Sequence, residues 1–338
     1  MTRDTSAPCQ GVPVFESGDT PPITVSAPIA AEPVGQGAPF TVRFRPAATG
    51  KAVPPLPMTG SRILRALVAV RSRSAENAAT TEDGMAFHGK VALVTGAASG
   101  MGRLAARRLA SGGAAVAALD VNEAGLRETR GADEHIRTYA VDVTDARAVA
   151  ETVRRIESEL GPLDRVTNAA AIMPTDRLLD QDPELVNRIM AINYGGTVNV
   201  TYAALPGMLE RRRGDLINFA SVAGWMPSLH FGAYNASKFA VVAFTEVLQH
   251  ENRASGVRFA CVCPPPVATP LLDQAKSQPK ILTQLPPIRP ETVLDAIERD
   301  LERDRLMVYP DRNAAVAVWM RRHLPRLLWW NIHRVEGF

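Results

Sequence analysis

Six mostly apolar segments, separated by helical stretches, restrict the fold of residues 85–338 more than any other feature of the sequence. They read KVALVT, AAVAALD, HIRTYAVDV, LDRVTNAA, DLINFAS and VRFACVC. Amphipathic stretches such as GRLAARRLASGG and AVAETVRRIESELG lie between them. Near-continuous apolar strands joined by amphipathic helices form a parallel sheet that helices cover on both faces. The sequence therefore predicts an α/β fold.

The first of these segments ends in a glycine-rich turn with the pattern T-G-x-x-x-G-x-G, and a helix follows it. Glycine lets the chain turn tightly and lets a pyrophosphate approach the backbone, while the helix start offers unpaired N–H groups and a positive dipole. Glycine spacing alone is weak evidence, but the strand before it and the helix after it strengthen it. The pattern predicts a dinucleotide site formed by Gly96, Ser99, Gly100, Met101 and Gly102.

Asp120 closes the second apolar segment, 18 residues beyond Gly102. A carboxylate at that position accepts hydrogen bonds from the adenosine ribose hydroxyls and repels a 2′-phosphate. The sequence therefore favours NAD over NADP. Arg103 is the one nearby residue that could instead meet a phosphate, although an arginine at such a helix position is more often solvated.

Residues 1–84 differ from the rest of the chain in composition. The first sixty residues hold 11 of the 26 prolines, and the stretch 33–75 has seven Lys or Arg and no acidic residue. We predict a disordered extension, or sequence upstream of a true start at Met85, which leaves a single domain over residues 85–338. The segment SRILRALVAVRS leaves an alternative open, a targeting or membrane-surface helix.

Charge and cysteine content narrow the class of protein. The formal charge of +3 does not indicate nucleic-acid binding, and no apolar run approaches the roughly 18 residues that span a bilayer. Cys261 and Cys263 would share one face of a strand, a poor geometry for a mutual disulfide. A lone C-x-C without a second ligand pair indicates strand packing rather than a metal site. We expect a reduced, cytoplasmic protein that needs no metal.

Tyr234 and Lys238 stand four residues apart in YNASK and project from one face of a predicted helix. An ammonium beside a phenol favours the phenolate, so we expect the pKa of Tyr234 to lie below its usual value of about 10. Tyr234 would then act as general base on an alcohol, or as general acid in reduction. Ser221, 13 residues upstream, follows an apolar strand and can hydrogen-bond a substrate oxygen.

These motifs together resemble the short-chain dehydrogenase/reductase family from about residue 87 to residue 270. TGAASGMG is similar to its cofactor loop, VDV to its adenine-side segment, AINYGG to its catalytic asparagine segment, and the Ser–Tyr–Lys set to its active centre. The resemblance implies a Rossmann-like three-layer α/β/α sandwich with a mostly parallel seven-stranded sheet. It also implies hydride transfer to or from a nicotinamide.

The resemblance also implies roles for individual residues. Asn193 would position a water that links Lys238 to solvent in a proton relay, and Lys238, beside Tyr234, would hold the nicotinamide ribose. The asparagine has an alternative role, the bridging of backbone groups inside a helix. The other residues that the resemblance assigns to the cofactor are Asp142 and Val143 at the adenine, Asn168 after the fourth strand, and Val267 and Thr269 at the carboxamide.

The chain departs from the family pattern at two places. TNAA puts Thr167 and Ala170 where the family usually has N-N-A-G, and Pro264–Pro265 stands where it usually has P-G. Proline fixes φ and removes an N–H, and Ala170 adds a methyl group beside the cofactor. We expect altered cofactor affinity or loop conformation, with the chemistry intact.

The carboxyl-terminal part after Pro270 holds the variable lid and a tail, RRHLPRLLWWNIHRVEGF, rich in arginine, leucine and tryptophan. The tail either packs over the substrate pocket or a neighbouring subunit, which we favour, or lies at a lipid interface. Both the lid and the tail favour an apolar alcohol or ketone as substrate.

The leading hypothesis is an NAD-dependent oxidoreductase acting on an apolar secondary alcohol or its ketone. One alternative is a non-catalytic dinucleotide-binding or scaffold protein, which the two departures suggest. Another is a lipid-binding protein that contacts a membrane surface through its tail. The long apolar helix predicted over AYNASKFAVVAFTEVLQH resembles a subunit-packing helix of the family and indicates a homodimer or homotetramer.

Overall fold

The computed structural model describes residues 87–275, Lys280 and residues 286–337. The predicted disordered extension, the proposed start at Met85 and the segment SRILRALVAVRS lie outside these residues. Part of the predicted lid, residues 276–279 and 281–285, lies outside them as well.

Seven parallel strands form one sheet in the order β3-β2-β1-β4-β5-β6-β7. Helices cover both faces, so the predicted Rossmann-like three-layer α/β fold is confirmed. The strands are β1 (Val91–Thr95), β2 (Ala115–Asp120), β3 (Ile136–Ala140), β4 (Arg165–Asn168), β5 (Gly214–Phe219), β6 (Val257–Val262) and β7 (Met307–Val308).

Nine α-helices lie between and after these strands in the described residues. They are α1 (Gly100–Ser111), α2 (Glu123–Arg130), α3 (Ala146–Leu160), α4 (Pro183–Met190), α5 (Gly196–Arg211), α6 (Gly232–Glu251), α7 (Pro290–Glu302), α8 (Arg312–His323) and α9 (Pro325–Glu336). Short 3₁₀ turns cover Leu178–Asp180, Val222–Gly224 and Leu272–Gln274, and one π-helical turn covers Ala191–Gly195. Aspartate or asparagine side chains cap the starts of α2, α3, α4 and α8.

Successive residues of β1 contribute to two separate hydrophobic cores. Ala92 and Val94 belong to the core that includes α1 and α7, whereas Val91 and Leu93 belong to the core that includes α3 and α5. All five residues of the strand are buried. An apolar strand without polar alternation is therefore the consequence of helices on both faces of the sheet.

The order of the sheet reverses at β1, which lies between β2 and β4. The chain leaves β1 toward one side and β4 toward the other, so a crevice forms beyond their carboxyl ends. This crevice positions the site described below. The short strand β7, which pairs with β6 at Cys261 and Val262, has only two residues and therefore carries no periodic signal in the sequence.

Candidate active site

A cavity of about 570 Å³ lies at the carboxyl ends of the strands. Its wall includes residues that directly follow β1, β3, β4, β5 and β6, and the last residue of β2. At one end it is lined by the glycine turn, and at the other by mostly apolar side chains. The candidate site is therefore one continuous chamber with a nucleotide end and a substrate end.

The five predicted residues of the glycine turn all line this cavity. Gly96 and Gly100 have φ of +66° and +49°, a conformation that favours glycine, and a Cβ on Gly102 would collide with the backbone of Gly96. The side chain of Ser99 precedes α1 but makes no capping hydrogen bond to it in the described residues. The N–H groups of the first turn of α1 thus remain available to an anion, which fits the pyrophosphate of a dinucleotide.

Asp120 lines the cavity at the end of β2 and is held by two backbone N–H groups. Ala98 N donates to one carboxylate oxygen at 3.1 Å and Asn122 N donates to the other at 2.9 Å. A carboxylate oxygen accepts more than one hydrogen bond, so each retains capacity for a ribose hydroxyl. The geometry therefore fits the role that the sequence predicts for Asp120.

The side chain of Arg103 is held by residues of α2 and lies outside the cavity wall. Its guanidinium donates to Thr129 Oγ1 at 3.1 Å and pairs with a Glu128 carboxylate oxygen at 2.9 Å, and it also contacts the carbonyl of Ala98. It is not among the described residues that line the cavity. The guanidinium of Arg103 is thus occupied by other residues of the protein.

Asp142 and Val143 also line the nucleotide end, beyond β3. The Asp142 carboxylate accepts hydrogen bonds from the N–H and the hydroxyl of Thr144, at 2.9 and 2.8 Å. Val143 packs so closely on α5 that a Cβ on Gly196 would meet its side chain at 2.5 Å. Both residues are thereby fixed in the cavity wall, and their contact with the adenine stays a prediction.

Asn168 is the predicted cofactor residue whose side chain the structure does not bring to the cavity. It is buried at the end of β4, where its amide donates to Asn218 Oδ1 at 2.9 Å and to Thr201 Oγ1 at 3.3 Å. Its neighbours Ala169 and Ala170 line the cavity instead, and the Thr95 hydroxyl binds both of their N–H groups at 3.1 Å. Asn168 therefore joins β4, β5 and α5 and acts on the site through the backbone.

Ser221, Tyr234 and Lys238 all reach the cavity wall. Ser221 follows β5, where its hydroxyl accepts from Ala223 N at 3.1 Å and contacts Pro264 O at 3.4 Å. Lys238 donates to the carbonyl of Phe219 at 2.7 Å, and its Nζ lies 5.7 Å from the centroid of the Tyr234 ring. The structure thus brings together the three residues that the sequence combined.

Burial dominates the protonation of this set. It raises the pKa of Tyr234 to about 12, although the nearby Ser221 side chain acts in the opposite direction, and it lowers the pKa of Lys238 to about 8. The prediction that Lys238 lowers the pKa of Tyr234 is therefore wrong for the protein alone. A buried phenol without a charged hydrogen-bond partner is more stable in its neutral form.

Asn193 lies in the π-helical turn before α5 and is fully buried. Its amide accepts from Ile172 N at 2.9 Å and donates to Ile172 O and Ser237 Oγ, both at 3.0 Å. Ile172 lines the cavity, whereas Asn193 is not among the described lining residues. The observed contacts match the bridging role that the sequence left open, and the proton relay stays a prediction.

Val267, Thr269 and the prolines before them form the wall beyond β6. The carbonyl of Pro264 accepts from Val222 N at 3.0 Å and so ties this wall to the Ser221 loop. Of the two departures from the family pattern, Ala170 and Pro265 line the cavity. Thr167 is buried beside Leu294 and Ile297 on the α7 side of the sheet, so its hydroxyl cannot replace an amide at the cofactor.

Sequence reasoning missed the apolar residues of the substrate end. They lie on four separate segments between β4 and α7, and none has a motif that marks it in the sequence. The principal side chains are Met173, Met226, Phe231, Leu271, Leu272 and Ile288. Phe231 packs edge-on against Tyr234, with ring centroids 6.1 Å apart.

The tail contributes the end of α8 and all of α9, and both helices pack against this end of the molecule. Ala314 and Ala317 of α8 line the cavity, and Leu328 and Ile332 of α9 share a hydrophobic cluster with Val222 and Met226. A tail packed over the substrate pocket is one of the two arrangements that we favoured from the sequence, and the other, contact with a neighbouring subunit, stays a prediction. In the described parts of the chain, none of the helices combines the length and the apolar character needed to cross a membrane.

Comparison with known proteins adds a family to this geometry. Residues 90–280 match the family described as short chain dehydrogenase. The chain belongs to the short-chain dehydrogenase family. It is 30% identical to retinol dehydrogenase 10-B of Danio rerio over 264 residues and to retinol dehydrogenase 10 of Homo sapiens over 269 residues. Each match covers 70% of this chain and 79% of the relative.

Solved short-chain dehydrogenases have the same fold. A short-chain dehydrogenase/reductase from Burkholderia phymatum in complex with NAD is 26% identical, with a TM-score of 0.65, over 72% of this chain and 96% of that chain. A short-chain dehydrogenase from Streptomyces avermitilis is 24% identical, with a TM-score of 0.64, over 73% and 98% of the two chains. This short-chain dehydrogenase is an NAD(P)-dependent oxidoreductase that acts on CH–OH groups of small molecules.

Proposed function

We propose that this short-chain dehydrogenase interconverts an apolar alcohol and its carbonyl compound, with NAD as cofactor. The observation that carries the proposal is the convergence of Ser221, Tyr234 and Lys238 on a cavity whose far end is lined by apolar side chains. A hydroxyl, a phenol and a buried amine at one wall can bind an oxygen and move its proton. The apolar end can hold a hydrocarbon chain.

Tyr234 moves the proton at its phenolic oxygen. In oxidation the phenolate form of Tyr234 takes the proton of the substrate hydroxyl, and in reduction the phenol returns a proton to the carbonyl oxygen, while the Ser221 hydroxyl holds that oxygen. A nicotinamide bound in the cavity would supply the hydride acceptor for the carbinol C–H bond in oxidation and the hydride donor to the carbonyl carbon in reduction, and its oxidised form would add positive charge. Because burial raises the pKa of Tyr234 to about 12, the phenol is neutral at pH 7 and ready to donate.

Lys238 keeps a proton donor fixed beside the phenol. Its ammonium is oriented by the Phe219 carbonyl, and its pKa of about 8 leaves it mostly protonated at neutral pH. An ammonium so placed stabilises any negative charge that develops on Tyr234 during oxidation. We also assign to Lys238 the ribose contact, and to Asn193 the relay of a proton through water.

The preference for NAD rests on two side chains at the nucleotide end. Asp120 points a carboxylate into the cavity, and a 2′-phosphate there would meet like charge. Arg103, which could have offset that charge, is paired with Glu128. The remaining cofactor contacts are assigned to Asp142, Val143, Val267, Thr269 and the glycine turn.

The substrate is an apolar secondary alcohol or its ketone, and the names of the relatives add a primary alcohol to the candidates. Retinol, for which those relatives are named, carries one hydroxyl on a long hydrocarbon. A hydrocarbon of that kind matches the side chains of Met173, Met226 and Phe231 better than a sugar would.

The test is an assay of NAD and NADP reduction over a panel of alcohols. The panel contains retinol, an apolar secondary alcohol and a polar polyol, with Tyr234→Phe as the control variant. We expect turnover of the apolar alcohols with NAD and none above background in the variant. Comparable turnover of the polyol would contradict the apolar assignment, and equal activity of Tyr234→Phe would contradict the mechanism.

We further propose a homodimer or homotetramer that acts in the cytoplasm. Helices α5 and α6 expose Tyr202, Phe239 and Val247, and exposed side chains of this size support subunit packing. Size-exclusion chromatography with light scattering tests the assembly, and a monomer at micromolar concentration would contradict it.

A further inference from the structure

Helices α8 and α9 repeat one arrangement of exposed side chains. In α8, Val316 and Trp319 lie three residues apart and His323 follows four residues later. In α9 the same spacing joins Leu327, Trp330 and Arg334. Every one of these side chains is exposed, and Trp330 has 57% of its surface in solvent. Each helix therefore presents an apolar stripe that ends in a basic residue.

The two tryptophans are each covered by the basic side chain that follows them. The ring of Trp319 stacks on the ring of His323 with centroids 4.8 Å apart, and the Arg334 guanidinium carbon lies 5.5 Å from the centroid of Trp330. An indole is apolar in its body and polar at its N–H, and together with a cation it suits the boundary between lipid headgroups and acyl chains.

Apart from Glu336, the last residue of α9, the charged side chains of these two helices are basic. Residues 312–335 contain five arginines and no aspartate or glutamate, although the whole chain has a formal charge of only +3. Such a concentration of arginine around exposed apolar side chains complements an anionic lipid surface. A folded partner of mixed charge would not require this imbalance.

From these observations we propose that the exposed faces of α8 and α9 form a docking surface for an anionic phospholipid bilayer. The apolar stripe of each helix enters the headgroup boundary, and the arginines, among them Arg322 and Arg326, contact the lipid phosphates. The two helices contact one leaflet of the bilayer.

The inner sides of the same helices connect the docking surface to the active site. Ala314 and Ala317 line the cavity, and Leu328 packs with Val222, the residue directly after Ser221. A docked molecule thus holds the apolar end of its cavity close to the lipid, where an apolar alcohol dissolves. Lipid docking goes beyond the proposed function, and its test measures binding rather than turnover, so either can fail without the other.

The experiment is flotation of the full chain with vesicles of phosphatidylcholine, with and without phosphatidylserine. We expect binding to the vesicles that contain phosphatidylserine and little to those that do not. The double variant Leu327→Ser/Trp330→Ser should bind the anionic vesicles at least about tenfold more weakly. Its matched control is Leu178→Ser/Leu179→Ser, which removes two exposed apolar side chains from the 3₁₀ turn Leu178–Asp180.

A second pair of variants tests the charge. Arg322→Gln/Arg326→Gln should weaken binding about 30-fold, since one arginine near an anionic surface contributes about fivefold. Arg127→Gln/Arg147→Gln changes the net charge equally on other helices and should leave binding unchanged. All four variants should keep the thermal midpoint and NAD turnover of a water-miscible alcohol, because none of these residues lines the cavity.

Three outcomes would overturn the proposal. The first is absence of binding to either vesicle, and the second is equal loss in a variant and its control. The third combines two results: the parent does not bind vesicles, and Leu327→Ser/Trp330→Ser is a monomer where the parent is a dimer. This outcome would assign the surface to a second copy of the chain.

Discussion

The amino and carboxyl ends of the sheet differ in the groups that surround a buried cation. At the amino ends of β4 and β5, Arg165 is buried between two carboxylates, with Asp215 at 2.9 Å and Glu298 at 2.6 Å. At the carboxyl ends, Lys238 is also buried, but in the described chain its ammonium has the carbonyl of Phe219 and no carboxylate partner. Two cations at similar depth thus have different electrostatic surroundings.

The pKa values follow from these surroundings. Burial alone lowers the pKa of Arg165, but Glu298 and Asp215 more than offset it, and the net pKa is raised. For Lys238 burial prevails and the pKa falls to about 8, and for Tyr234 burial raises it to about 12. The amino end therefore uses charge to hold strands together. At the carboxyl end, burial without a carboxylate partner brings the pKa of Lys238 close to neutral pH and keeps Tyr234 protonated.

Among the variants that distinguish the two ends of the sheet, Tyr234→Phe should have the largest effect, a loss of activity. This variant keeps the ring packed on Phe231 but removes the phenolic oxygen, so it should lower kcat by about 10²–10⁴-fold. Its thermal midpoint should stay within a few degrees of the parent. Steady-state kinetics with NAD and an apolar alcohol measure the loss, and a variant that kept more than a tenth of the parent rate would contradict the assigned role.

Arg165→Met should show the opposite pattern. Removal of the guanidinium leaves Asp215 and Glu298 buried without it, so the free energy of unfolding should fall by about 3–5 kcal/mol. In conditions where the variant is folded, kcat should remain close to that of the parent, because Arg165 lies at the other end of the sheet. Urea denaturation measures the stability, and Arg213→Met, at the exposed partner of Asp164, is the control that should change it far less.

Lys238→Met should stabilise the protein at pH 7 while it abolishes activity. The folded pKa of about 8 lies below the usual lysine pKa of 10.5, so below pH 8 the native state carries a buried cation. The substitution should raise the free energy of unfolding by about 1–3 kcal/mol there.

The sign of the pH dependence makes this prediction specific. Between about pH 8 and 10.5 the folded parent loses the Lys238 proton while the unfolded chain keeps it, so the parent gains stability as pH rises. The advantage of Lys238→Met should therefore shrink across this window. Urea denaturation of both proteins at several pH values measures the difference in their free energies of unfolding. A difference that stays constant across the window would contradict the lowered pKa of Lys238.

The carboxyl end of the sheet was more predictable from sequence than the amino end. The glycine turn, Asp120 and the Ser–Tyr–Lys set are local patterns in strands and helices whose type follows from apolar periodicity. Arg165 meets Glu298 across 133 residues, a separation at which sequence spacing carries no information. The same limit applies to the substrate end, where Met173, Met226 and Leu271 meet only in the folded chain.

One error and one unexpected side-chain orientation at the site have physical causes. The pKa of Tyr234 was predicted from its spacing to Lys238 alone, whereas burial, which a sequence does not display, decides the direction. Asn168 was assigned to the cofactor from its place in a motif and stays a prediction, since the pleat of β4 turns its side chain toward Thr201 and Asn218. Strand alternation of side chains thus limits how far a motif can assign contacts.

The smallest effect concerns cofactor choice at Asp120. Asp120→Asn keeps the shape of the side chain and one oxygen, but removes the charge and one acceptor at the end of β2. The affinity for NAD should fall about tenfold, the effect of one hydrogen bond to a charged group, and the preference for NAD over NADP should narrow because repulsion of the 2′-phosphate is lost. Asp133→Asn, which alters an aspartate outside the cavity lining, is the matched control. Titration of both cofactors by fluorescence measures the two affinities, and an unchanged ratio would place the discrimination on another residue of the nucleotide end.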